Sequence, residues 1–276
     1  MSEKYLILPD IHLRHKKAEK IISSVKPNKI IFLGDYLDDF NDTPEMVNET
    51  AEWLHWSVNQ KNRVHLAGNH CVHYWFKDNK SLRCSGYEDY KSVAINNRVT
   101  KEDWEKLVFY YDLDNKWLLT HAGYHPSWID RSKFNANEIL QYSHEAACRK
   151  LKIESVEAKK AFYANKMHWF NMPGYSRSRN SPYYGGITWC DWDKEFNVVK
   201  GLNQIVGHTP IRGELYWLFV REDHIHPESA PWDKVCPELS NKTSYNICLD
   251  SEPGSKYYAV YEDGKLSIYN ADKEIK

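Results

Sequence analysis

The chain has 276 residues, 37 basic against 38 acidic side chains, and a formal net charge of −1. That balance argues against an extended sequence-independent nucleic-acid footprint, and no apolar run is long enough to span a bilayer. The opening MSEKYLILPD lacks a secretory apolar core, and the six cysteines form no Cys-x-x-Cys pair, so a soluble, reduced, cytoplasmic protein is expected.

The first seventy residues alternate regularly. YLILP (5–9) is a short apolar run, and KKAEKIISSVKP (16–27) places Ile21, Ile22 and Val25 on one helical face before Pro27 ends it. KIIFLG (29–34) reads as a buried strand. TPEMVNETAEWLHWSVNQ (43–60) opens with Thr43 as N-cap and Pro44 at the first helical position, and RVHLAG (63–68) supplies a third strand. Strand, helix, strand, helix, strand predicts a parallel sheet with crossover helices, in which ligands sit beyond the carboxyl ends of the strands.

Residues 72–116 are aromatic and charged without clean periodicity. WLLTHAG (117–123) is a further strand ending in a histidine, two helices are expected over 137–151 and 154–170, and 171–186 is rich in turns. NQIVGHTP (203–210) repeats the theme of strand, glycine and histidine. ELYWLFV (214–220), SYNICLD (244–250), YYAVYE (257–262) and KLSIYN (265–270) are expected as antiparallel strands, the last two joined by an Asp-Gly hairpin. One α/β domain over 1–276 is expected, with a helical and loop insertion at about 124–200 and a C-terminal sheet half.

The strand ends collect Asp10, His12, Asp35, Asn69, His121 and His208. A mixed oxygen and imidazole set without sulfur suits Mn²⁺, Fe²⁺ or Zn²⁺ better than Ca²⁺. Six ligands exceed the needs of one open catalytic ion and fit two ions roughly 3.5–4 Å apart that share a carboxylate, an arrangement used in phosphate-ester hydrolysis. Asp35 is the natural bridge.

In order along the chain, PDIH, GDYLD, GNH, THAG and GHTP resemble the motif series of the calcineurin-like metallophosphoesterases. The late YNICLDSEPGSKYYAVY is similar to the closing strand pair of the phosphoprotein phosphatase and diadenosine tetraphosphatase branch. The resemblance implies a four-layer α-β-β-α sandwich, two divalent ions with Mn²⁺ first and Fe, Zn or Mg as alternatives, and hydrolysis of phosphomonoesters or nucleotide polyphosphates. It places Asp10 and His12 on the first ion, Asp35 between the ions, and Asn69, His121 and His208 on the second. A hydroxide bridging the ions would be the nucleophile, with His70 as general acid and Asp38 as its carboxylate partner. The substrate would be a phosphorylated small molecule, a nucleotide or a phosphoprotein.

The chain departs from the family pattern at Asp39, where an arginine that grips phosphate is usual, in PDIHL, which lacks both usual glycines, and at Cys71, where a glutamate is common. Arg14, Arg177, Arg179 and Arg212 are the candidates for a substitute grip. His15, His55, His65 and His73 are read as structural, His224 and His226 as a solvated loop, Cys71 as a small buried apolar side chain, and the tryptophans as dispersed packing. A binding or scaffold protein on a degenerate phosphoesterase fold is the competing reading, and the His70 and Asp38 pair counts against it.

Overall fold

Leu6, Ile7 and Leu8 set the plan of the molecule, because successive side chains of a strand point to opposite faces and all three are fully buried. The sheet they belong to must therefore be covered on both sides. In the computed structural model, which describes residues 3–129, 144–199, 201–210, 244–251 and 256–274, β1 (Tyr5–Leu8) pairs in parallel with β2 (Lys29–Phe32), and β2 with β3 (Arg63–His65). The expected crossover helices are α1 (His15–Val25) and α2 (Pro44–Ser57), and the Thr43 side chain accepts from the Met46 amide at 3.3 Å as its N-cap. Leu6, Leu8, Ile30 and Phe32 pack with Ala18, Ile21, Ala51 and Leu54 of these helices.

Ile7 and Ile31 face the other way, onto Leu119, Ile205 and Ile247 of a second sheet. That sheet contains β4 (Tyr110–Leu113), β5 (Trp117–Thr120), β6 (Asn203–Val206) and β7 (Asn246–Cys248) in that order, with β4 antiparallel and the other three mutually parallel. The long helix α6 (His144–Tyr163) packs on β5. The hairpin of β8 (Tyr257–Glu262) and β9 (Lys265–Asn270) returns to the first sheet, with β8 antiparallel to β1. Asp263 and Gly264 both have positive φ, 53° and 76°, as a two-residue hairpin turn requires. The result is the mixed α/β fold with two stacked sheets and helices that the sequence implies.

Three expectations change in detail. The 244–250 segment is parallel to β6, not antiparallel, because β6 has β5 on one edge and can accept a further parallel strand on the other. In place of two helices broken near residue 152, α6 runs unbroken through Lys152 and Ile153, which carry no glycine or proline signal; residues 137–143 lie outside the described residues. The stretch without periodicity folds as α3 (Asn69–Trp75), α4 (Asp89–Asn96), α5 (Lys101–Glu105) and β4; α5 is started by a capping box between Thr100 and Asp103. The expected strand 214–220 lies outside the described residues. Among the described residues no helix is long and apolar enough to cross a membrane, and Cys71, Cys84, Cys148, Cys190 and Cys248 are free thiols.

His65 is structural, as expected. It stacks on Phe32 with ring centroids 4.5 Å apart, its Nε2 lies 2.9 Å from Ser57 Oγ, and burial with Arg63 nearby depresses its pKa to about 3. Between about pH 6.5 and pH 3 the unfolded chain therefore binds a proton that the folded chain refuses, and stability falls by up to about 1.4 kcal/mol per pH unit. His65→Phe keeps the stack, and Arg63 still donates to Ser57 Oγ at 3.0 Å. Denaturant unfolding from pH 7 to pH 4 is expected to show a flatter loss of stability in the variant than in the wild type.

Candidate metal centre

Asp10, Asp35 and Asn69 follow β1, β2 and β3, while His121 and His208 follow β5 and β6, so parallel strands of both sheets deliver their carboxyl ends to one crevice. The predicted set converges there with His12. The donor atoms of Asp10, His12 and Asp35 all lie within 4.8 Å of one another, as do those of Asp35, His121 and His208. Asp35 is common to both groups.

The histidine tautomers suit a cation. His12 Nδ1 lies 2.7 Å from the Asp38 carbonyl and His121 Nδ1 lies 3.0 Å from the Leu33 carbonyl. A carbonyl only accepts, so each Nδ1 carries the proton and each Nε2 turns a lone pair inward. His121 Nε2 then stands 3.2 Å from Asp35 Oδ2, 3.1 Å from Asn69 Oδ1 and 3.2 Å from His208 Nδ1. A proton or a cation among these four atoms would relieve the crowding of lone pairs. Turning the Asn69 amide over would let its nitrogen donate to His208, His121 and Asp35 at 3.0–3.2 Å, which satisfies the pocket without an ion, whereas a cation would be met by Oδ1.

The electrostatics agree. Burial alone would raise Asp35, but His121, His70 and His12 hold its carboxyl well below the usual carboxylate range. Burial lowers His121, yet Asp35 and Asp10 carry it up to about 9. A proton on Nε2 and a divalent cation thus compete for one position. Burial and His121 hold His208 well below its ordinary value, so its imidazole is neutral and able to ligate.

Backbone strain concentrates here. His12, Asp35, Asp38 and His208 have φ of 39°, 42°, 68° and 70°, conformations that cost about 1–3 kcal/mol each and persist where surrounding contacts impose them. Those contacts are visible: the Asp35 carbonyl accepts from the Ile11 and His12 amides at 3.0 and 2.8 Å, Asp35 Oδ1 accepts from the His70 amide at 2.9 Å, and Asp10 Oδ1 accepts from the His208 amide at 3.0 Å. The motif glycines make room for this approach. A Cβ on Gly68 would fall 2.1 Å from Asp35 Oδ1, and one on Gly207 would fall 2.1 Å from Asp10 Oδ1.

His70 sits at the mouth, with its ring edge-on to His12 at 5.5 Å and its Nδ1 3.0 Å from Asp38 Oδ2. Burial disfavours its charge, but the Cys84 sulfur, Asp35 and Asp38 raise its pKa well above the ordinary histidine value. Asp38 is a hub. It receives His73 Nε2 at 3.1 Å, the Tyr74 hydroxyl at 2.6 Å and Lys91 Nζ at 3.3 Å; burial would raise its carboxyl, but His70 and His73 hold it well below the usual carboxylate range. His73 therefore does not lie outside the site, as its spacing suggests: α3 begins at Asn69 and puts His70, His73 and Tyr74 on one face. Cys84 joins them, its Sγ 3.2 Å from His73 Nδ1, and Lys91 reaches in from α4.

Asp250 is a further residue that the sequence reading passed over. It follows β7, is buried, and is pushed well above the carboxylate range by burial and by the Asp10 charge. The rule that found Asp10 and Asp35 finds Asp250 once β7 is recognised as parallel.

Among the candidate grips, Arg14 Nη2 pairs with Asp39 Oδ2 at 2.8 Å while Nη1 donates to the His12 carbonyl at 3.2 Å. Arg177 pairs with Asp191 at 3.0 Å, and Arg179 makes no ion pair among the described residues. Arg212, His224 and His226 lie outside the described residues. Cys71 is fully buried, in keeping with its apolar reading. Trp128 and Trp169 stack at 5.0 Å, and Trp53, Trp104, Trp117 and Trp192 are buried, in keeping with the reading of the tryptophans as packing residues.

A family model for calcineurin-like phosphoesterases matches residues 3–222. The structure of a cold-active protein-tyrosine phosphatase from the psychrophile Shewanella sp. aligns with 98% of this chain and 78% of its own, at 16% identity and a TM-score of 0.53, a likeness of fold. A metallophosphoesterase from Sphaerobacter thermophilus aligns with 98% of this chain and 88% of its own at 14% identity and a TM-score of 0.45. No curated protein sequence matches the chain.

Gly68→Ala is expected to force Asp35 and His121 apart and to weaken Mn²⁺ binding measured by calorimetry, with little change in far-ultraviolet circular dichroism. Unchanged affinity and stoichiometry would show that the close approach at Gly68 is not needed for the ion.

Proposed function

The chain belongs to the calcineurin-like phosphoesterase family and is a metal-dependent phosphoesterase; on that premise we propose the roles of its residues and the class of its substrates. Asp10, His12 and Asp35 would hold one divalent ion, and Asp35, Asn69, His121 and His208 the other. The observation that carries this assignment is the sharing of Asp35 by two compact donor groups. Mn²⁺ is the proposed metal, since the donors are oxygen and imidazole without thiolate. When bound, the ions supply Lewis acidity at the phosphoryl oxygens and lower the pKa of water at the site.

The protein's own groups do the rest. His70, protonated at Nδ1 toward Asp38, turns Nε2 to the mouth and gives a proton to the departing oxygen. Asp38 fixes the ring and favours its charged form, and Tyr74, His73 and Lys91 fix Asp38. A scaffold would have no use for such an acid. The ligands Asp10 and His121 are fully buried, whereas His12, His70 and Arg14 are 25%, 17% and 32% exposed, so phosphate would enter over these three. Arg14 is the proposed grip. Asp39, at the position of the usual arginine, anchors Arg14 in place of supplying the cation itself.

The proposed substrates are phosphomonoesters of small molecules, nucleotides or phosphoproteins, or nucleotide polyphosphates. Exposed Tyr175, Tyr183 and Tyr184 in the loop that carries Arg177 favour a substrate with a planar group. The proposal takes residues 1–276 as one domain with an insertion at about 124–200, acting in the cytoplasm.

Hydrolysis of p-nitrophenyl phosphate by chelated protein, with Mn²⁺, Zn²⁺ or Mg²⁺ restored, tests the assignment. Activity is expected to return with metal in the wild type and not in Asp35→Asn, whose occupancy of both ions should fall; an Asp35→Asn protein that keeps two ions per chain would remove the bridge. His70→Ala is expected to lower kcat by about 10²–10⁴-fold on alkyl phosphates and far less on p-nitrophenyl phosphate, whose leaving group needs no proton. Equal losses would take His70 out of the acid role. Arg14→Ala is expected to raise KM by about 10–100-fold, the equivalent of one lost charge-assisted phosphate contact. An unchanged KM would move the grip elsewhere.

A further inference from the structure

Away from the crevice, three side chains of different chemistry converge between β4 and α6. Asp112 lies on the edge strand β4, His144 opens α6, and Cys148 follows one helical turn later on the same face. Their donor atoms all lie within 4.8 Å of one another. Asp112 Oδ1 is 2.7 Å from His144 Nε2, and Cys148 Sγ is 3.5 Å from the same nitrogen. The site is sheltered without being sealed: the Asp112 and His144 side chains are 31% and 13% exposed, and Cys148 packs against the main core.

From this convergence we propose that Asp112, His144 and Cys148 form a second, thiolate-containing metal site whose preferred occupant is Zn²⁺. Carboxylate, imidazole and thiolate together make a borderline-soft donor set, which selects zinc over the Mn²⁺ or Mg²⁺ suited to the oxygen and imidazole ligands proposed in the crevice. The three ligands leave a fourth tetrahedral position to water. Binding ionises the thiol and releases its proton to solvent, while the imidazole ligates in its neutral form through Nε2. Burial and the Asp112 charge push the Cys148 thiol up to about 12, so the sulfur is protonated without an ion and ionises only as the cation binds.

The consequence is mechanical. Among the described residues β4 pairs only with β5, and α6 is the long helix of the insertion, so one ion would fasten the insertion to the edge of the second sheet. An ion that binds the folded chain and not the unfolded one stabilises it by mass action.

Co²⁺ is the probe, because a thiolate ligand gives a near-ultraviolet charge-transfer band that oxygen and imidazole ligands do not. In the full-length chelated protein, titration with Co²⁺ is expected to produce this band, to lose it in Cys148→Ser, and to keep it in Cys84→Ser, the thiol beside the catalytic crevice. Zinc per chain by elemental analysis is expected to fall by one in both Cys148→Ser and His144→Gln, with metal-restored phosphatase activity retained. No band in the wild type, a band that survives Cys148→Ser or vanishes in Cys84→Ser, or an unchanged zinc content in both variants would overturn the proposal and leave a hydrogen-bonded Asp112–His144 pair beside a half-buried thiol. Because the sulfur band and the stoichiometric change report on a site without crevice ligands, their absence would leave the phosphoesterase assignment intact, and a silent crevice would leave them readable.

Discussion

Asp35 holds the architecture together at its most crowded point. With φ at 42° its carbonyl turns back to accept the amides of Ile11 and His12 from the loop after β1, while its carboxylate accepts the amide of His70 after β3 and faces His121 after β5. One residue thereby ties three neighbouring loops of the first sheet to a strand of the second. The same carboxylate belongs to both donor groups, so the link between the sheets and the proposed link between the ions run through one residue. The strained backbone is what lets a single side chain be reached from so many directions.

Around Asp35 the charges are sorted by depth. Asp10, Asp250 and His121 are buried among apolar strands, where an unpartnered charge would be costly, and each is driven from its ordinary pKa by burial and by its neighbours. Nearer solvent, Asp38 gathers His70, His73, Tyr74 and Lys91 into a network that keeps a histidine charged at the mouth. The outermost carboxylate, Asp39, is satisfied by Arg14. Pairs this exposed contribute only about 0–1 kcal/mol to stability, so the arrangement is better understood as placing a guanidinium beside the entrance. On the proposed roles, the run of carboxylates after β2 would divide into three tasks: Asp35 binding a metal, Asp38 supporting an acid, and Asp39 aiming a cation.

The glycines before these residues belong to the same constraint. Gly68 and Gly207 leave no space for a Cβ against Asp35 and Asp10, so the compactness of the donor groups is written into the motifs along with the donors. A family signature of this kind records how near the strands must come as well as what they carry.

The alternation of apolar runs and helical periods was enough to predict β1, β2 and β3 as parallel neighbours, and hence to bring Asp10, His12, Asp35 and Asn69 together; the strand, glycine and histidine pattern added His121 and His208. These were legible because strand direction and the strand-end rule act locally. His73, Tyr74, Cys84 and Lys91 were not, since they reach Asp38 only through the packing of α3 and α4, in a stretch without clean periodicity. Asp250 was missed for another reason: an isolated apolar run does not reveal whether its partner runs parallel or antiparallel, and that choice decides which end meets the crevice. The pairing of Arg14 with Asp39 and the meeting of Asp112 with His144 and Cys148 are likewise products of tertiary structure. Sequence fixes the residue types and their order, but distances between side chains of different elements follow from how the sheets and helices pack.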